Sequence, residues 1–246
     1  MSTRRKKRNI RLPNKILALP NVDKTFHEKW YKGRNMLNVP HPFRAVCLGP
    51  PNCGKGTVVK NVLMRAKPPF QEVYCIHCDP EYTKEWDDCD AQMMSQIPPP
   101  EEWKGEVKTL VIIDDLDLKG LSKVQTKNLS RLYGFVATHK NVSVILCSQD
   151  AFNVPPIVRR CSNLWIMWKI NDLDAMSAVS RKSGMSSSNF NSIFNQLMMD
   201  QHDSLWIDCT NKSPYPLRKN GYTLITKKDG EKATKILEGL DKFTAE

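Results

Sequence analysis

No stretch of the chain stays apolar for longer than about a strand. The longest runs, such as Leu110–Ile113 and Leu164–Trp168, fall far below the roughly 20 residues that a membrane helix needs. The N-terminus is basic and lacks the apolar core of a secretory signal. The eight cysteines are scattered without framework spacing, which fits reduced thiols in a cytosol-like compartment better than a disulfide scaffold. A secreted or membrane-spanning protein is therefore not expected. Cys75, His77, Cys78 and Cys89 form a loose group, but no second Cys-x-x-Cys pair completes a tetrahedral zinc set. Buried strand residues are the default reading there. No internal repeat and no dividing linker is visible.

What remains is an ordinary globular composition. The 246 residues are 40% apolar and 26% charged, enough for one domain with a real core and a small appendage. The net charge of +11 is unevenly placed. Residues 1–45 hold twelve Lys and Arg against only Asp23 and Glu28, so the rest is nearly neutral. This divides the chain into a basic arm, residues 1–40, and a domain over 41–246. Arg4–Arg8 repel one another and have no apolar period, so they are expected to be disordered in isolation. Such an arm suits phosphate backbones through counterion release. A solubilising tail or a nuclear-import signal would use the same residues.

From residue 43 strand and helix patterns alternate. Strands are expected at Phe43–Leu48, Val73–His77, Thr109–Ile113, Val142–Cys147, Leu164–Lys169, Ser204–Asp208 and Tyr222–Thr226, the last two antiparallel. Helices are expected at Lys55–Ala66, Leu121–Thr138, Asp172–Lys182, Ser187–Met199 and Glu231–Leu240. Asp79–Glu102, acidic and proline-bearing, reads as loops and a short helix. The alternation predicts an α/β fold with a mainly parallel sheet between helices. Trp165 and Trp168 read as core or subunit-contact residues. Arg218, Lys219, Lys227 and Lys228 fit either a DNA channel or a solvated hairpin.

Three clusters carry chemistry. Gly49-Pro50-Pro51-Asn52-Cys53-Gly54-Lys55-Gly56-Thr57 lies between a strand and a helix, the setting of a phosphate loop. Its glycines let backbone N–H groups face a polyphosphate, the helix N-terminus adds positive potential, and Lys55 reaches the β- and γ-phosphates. The usual loop has Ser or Thr directly after the lysine as a Mg²⁺ ligand. Here Gly56 holds that place, and Thr57 is turned by about 100° from it. The second cluster is the apolar Leu110–Ile113 run ending in Asp114 and Asp115, acids at the sheet edge where nucleotide sites lie. Asp114 would hold Mg²⁺ and Asp115 would act as general base. In the third, Gln149 follows a buried strand as a γ-phosphate sensor, and Arg159 and Arg160 lie beyond a Pro-Pro turn. One of the two would enter a neighbour's site as an arginine finger; alone they read as a solvated pair.

Together GPPNCGKGT, TLVIIDD, SVILCSQ, VPPIVRR and NLWIMW resemble the FtsK/HerA-superfamily DNA-packaging ATPases, in the branch of poxviruses, giant viruses and virophages. The likeness spans about residues 43–226. It implies a RecA-like P-loop NTPase core of the ASCE type, with the strand Val142–Cys147 inserted between the phosphate-loop strand and the Asp114 strand. It implies ATP and Mg²⁺, with Gly49, Pro50, Asn52, Cys53, Gly54, Lys55, Gly56 and Thr57 around the nucleotide. Asp114 and Thr57 would be at the metal, with Asp115, Gln149 and Arg159 catalytic. The implied function is ATP-driven packaging of viral double-stranded DNA into preformed capsids. Implied partners are DNA, a homo-oligomeric ring (pentamer or hexamer) and a capsid vertex, with no membrane. The expected location is the virion or a cytoplasmic virus factory, or the nucleus given the basic arm. Two other readings stay open: an adenylate-kinase-like nucleotide kinase, and a non-catalytic DNA-binding protein.

Overall fold

The computed structural model describes residues 37, 39–183, 186–210, 217–225 and 234–236. The basic arm up to residue 36, Lys227 and Lys228 lie outside the described residues. Five apolar runs form parallel strands: β1 (Arg44–Leu48), β2 (Glu72–Ile76), β4 (Thr109–Ile113), β5 (Val142–Ser148) and β6 (Leu164–Trp168). A sixth parallel strand, β3 (Gln92–Met94), pairs with β2, in a stretch that reads as loop from its sequence. An antiparallel extension follows: β7 (Ser204–Asp208), β8 (Leu217–Lys219), β9 (Thr223–Ile225) and β10 (Thr234–Ile236). The order is β10-β9-β8-β7-β6-β1-β5-β4-β2-β3. The expected insertion of β5 between β1 and β4 is present.

Two-residue periodicity sorts the strands onto two cores. Val46, Leu48, Val111, Ile113, Val144, Leu146 and Trp165 face one side, under Leu129, Tyr133, Val158 and Phe190. Ala45, Cys47, Ile112, Ile145, Ile166 and Trp168 face the other, under Val59, Val62 and Trp86. Leu37 and Val39, in the segment read as arm, are buried against this second core. Both tryptophans are core residues.

The helices are α1 (Lys55–Met64), α2 (Lys123–His139), α3 (Pro156–Cys161), α4 (Leu173–Ser183) and α5 (Ser187–Leu197). Ser122 caps α2 by accepting from Gln125 N at 3.2 Å. Within α2, Leu132–Val136 widens into a π-turn, and the Tyr133 hydroxyl donates to Ala45 O at 3.0 Å. Among the described residues no helix is long and apolar enough to cross a membrane.

Two expectations fail. Residues 234–236, read as helix, form β10 through pairing with β9; the rest of Glu231–Leu240 lies outside the described residues. Arg218 is fully buried, donating to Leu37 O and to Gly221 O, with its guanidinium 5.4 Å from the Trp206 ring. Lys219 pairs with Asp203 at 2.7 Å and donates to Leu197 O. Buried Arg218 does not belong to a solvated hairpin, and half-buried Lys219 is held in its pair with Asp203.

Candidate active site

The loop between β1 and α1 owes its path to glycine. A Cβ on Gly49 would stand 2.7 Å from Cys53 Sγ and 2.9 Å from Trp168 Cβ, so the turn closes only without a side chain. Gly54 caps α1 with φ 104° and ψ 21°, a backbone that L side chains avoid. Asn52 also has positive φ, at 58°. The first turn of α1 therefore opens toward a cleft of about 640 Å³, a volume in the range of small-ligand sites. Lys55 Nζ curls back to donate to Gly49 O at 2.9 Å and Pro50 O at 2.8 Å.

The cleft is lined by Asn52 to Thr57, by Asp114 and Asp115 after β4, and by Gln149 after β5. Gly49 and Pro50 do not line it; they serve as acceptors for the lysine. Residues up to 97 apart in sequence thus meet because parallel strands end at one sheet edge. Asp114 is buried, its N–H donating to Ile76 O at 3.0 Å and its Oδ2 accepting from the Trp86 indole at 3.2 Å. Burial and then the neighbouring Asp115 push its carboxyl up, partly offset by the Trp86 bond. Asp115 is exposed and has φ 45°, a conformation non-glycine residues adopt at a cost of about 1–3 kcal/mol, typical of functional sites.

Three lining or supporting residues escape sequence reading. Glu85 lines the cleft beside Gly56, and burial, followed by Asp114, raises its carboxyl. Trp86 is buried beneath it. His202, just before β7, lines the other side, its Nδ1 3.3 Å from Cys53 O. Glu85 and Trp86 sit in a stretch without periodicity; the only hint was Gly56, which leaves room for another group.

Arg159 and Arg160 are elsewhere. They ride on α3, which Pro156 opens, and line a separate cleft of about 220 Å³ with Ala151, Trp165 and Val179. Arg159 is half-buried, its Nε without a hydrogen-bond partner, while Arg160 is exposed. Cys75 is buried in β2, and burial pushes its thiol up to about 12. Among the described residues no three His, Cys, Asp or Glu gather to hold a metal by themselves.

Comparison with known proteins bears on the fold and the family. No curated protein matches the chain in sequence. Among solved structures, the genome packaging NTPase B204 of Sulfolobus turreted icosahedral virus 2 is similar in its sulfate complex, at 17% identity and a TM-score of 0.54 over 74% of this chain and 96% of that one. Its ATP-gammaS complex gives 15% identity and 0.52, covering 72% and 96%. B204, the DNA-packaging ATPase of Sulfolobus turreted icosahedral virus, gives 16% and 0.50, covering 73% and 97%. At these identities the likeness establishes a shared P-loop NTPase fold. Residues 45–172 match the ATPase family associated with various cellular activities, about half of the chain. The chain belongs to that family, and is an ATP hydrolase that binds its nucleotide through a P-loop fold.

Proposed function

We propose that this ATPase is a motor of the FtsK/HerA type that drives viral double-stranded DNA into preformed capsids. The observation that carries the reading is the meeting of Lys55, Asp114, Asp115 and Gln149 in one cleft, with β5 between β1 and β4. The fold shared with viral genome-packaging NTPases supports it. Lys55 exchanges its loop carbonyls for the β- and γ-phosphates, and the first-turn N–H groups of α1 bind the same oxygens. Asp115 orients the attacking water and takes its proton on a carboxylate oxygen. Gln149 hydrogen-bonds the γ-phosphate and senses its loss.

The donors around the phosphate end are carboxylate and hydroxyl oxygens, a set suited to Mg²⁺, which needs only one or two carboxylates beside phosphate oxygens. Asp114 is the residue that would hold it, with Thr57 at the cleft rim. Bound there, the ion would neutralise charge on the β- and γ-oxygens. Arg159 and Arg160 do not line their own subunit's cleft, which supports an arginine acting in trans within a ring. Duplex DNA, a capsid vertex and a virion or factory location complete the reading.

The test is ATP turnover with and without duplex DNA, and with a nucleoside monophosphate as acceptor. DNA should stimulate hydrolysis. Phosphoryl transfer to the monophosphate would make the chain a kinase instead. Asp115→Asn should lower turnover about 10²–10⁴-fold while nucleotide binding survives.

A further inference from the structure

The residue after the loop lysine usually supplies a hydroxyl to the metal, and here it is Gly56. The space that its side chain would fill is taken. A Cβ built on Gly56 would lie 1.9 Å from Glu85 Oε1 and 3.0 Å from Glu85 Cδ. That 1.9 Å is little more than a covalent bond length, about 1.5 Å, so the carboxylate oxygen stands close to where a serine hydroxyl would begin. Glu85 does not arrive there by chance of a loose loop. The next residue, Trp86, is 1% exposed and bonded to Asp114, and Lys60 on α1 pairs with Asp88 at 2.8 Å. The segment is pinned to the acid strand and to the helix by the residues that directly follow Glu85.

We propose that Glu85 is a metal-holding residue that replaces, from a different element, the hydroxyl missing at Gly56. This rests on the ATP-binding reading of the cleft. A carboxylate beside a triphosphate, over the first turn of α1, sets two anions together in a partly desolvated site. A divalent cation between them turns that repulsion into coordination, with Asp114 as the second carboxylate and phosphate oxygens completing the shell. Gly56 is then the partner of Glu85: the helix must lack a side chain for the carboxylate to reach it.

The experiment uses Mn²⁺ as probe, its free concentration followed by electron paramagnetic resonance, on the full chain with a non-hydrolysable ATP analogue. Glu85→Gln should weaken Mn²⁺ binding to the analogue complex by about tenfold or more, while analogue binding in chelator stays level or tightens. Gly56→Ser combined with Glu85→Ala should bring Mn²⁺ affinity back, because the hydroxyl regains its space. Mn²⁺ affinity within twofold of the unmodified chain in Glu85→Gln overturns the proposal, as does a loss that the double variant fails to restore. If the unmodified chain binds no analogue, the ATP-site reading falls together with it; analogue binding with undiminished Mn²⁺ affinity removes the Glu85 role alone.

Discussion

His41 shows how a single residue sets a pH limit. It is buried, with Nδ1 2.8 Å from Ser143 Oγ and Nε2 2.6 Å from Asn141 Oδ1. Burial lowers its pKa from 6.5 to about 4, against the opposing Asn141 bond. The folded chain therefore keeps the imidazole neutral where the unfolded chain protonates it. Stability from this residue is intact above pH 6.5 and declines as the pH falls toward 4, by about 3 kcal/mol in all. Urea unfolding at pH 7 and pH 4.5 should show that loss, and His41→Gln should lack much of it. Gly49 is constrained by space. Gly49→Ala forces a methyl against Cys53 Sγ and Trp168 Cβ, and a cost of about 1–3 kcal/mol in urea unfolding is expected.

Among the elements, the unpatterned stretch between β2 and β4 adds one wall residue to the cleft, together with its support. It contributes β3, the Trp86 anchor and the Glu85 carboxylate. Trp86→Phe keeps the ring in the core but strips the donor from buried Asp114. A hydrogen bond to a charged group is worth about 1.5–3 kcal/mol, and the variant should lose that much by urea midpoint. The helix α2 illustrates a different point. Its amphipathic period was visible over Leu121–Thr138, but its π-turn was not, since the widened turn belongs with the Tyr133 bond to a β1 carbonyl about 90 residues away. Pairing partners likewise decide β8 and β10, three residues each, too short for any period to show.

At the scale of the molecule, the two arginines of α3 make oligomerisation testable. Mixing Lys55→Ala subunits with subunits lacking the finger should restore part of the turnover that each lacks alone. Arg159→Ala or Arg160→Ala, whichever is the finger, should lower turnover about 10³-fold with ATP binding retained; full activity in both variants would dismiss trans action by this pair. Removing residues 1–12 should weaken duplex binding and flatten its salt dependence. The local chemistry of this chain was written in its sequence. Continuous apolar runs marked the strands buried on both faces, glycines marked the loop, and paired aspartates marked a strand end, because each depends on neighbours a few residues away. Only the tertiary structure decided the rest. It put Glu85 against Gly56, sank Arg218 beneath Trp206 and took Arg159 out of its own cleft. Those outcomes follow from strand order and side-chain packing across the sheet, which no local period encodes.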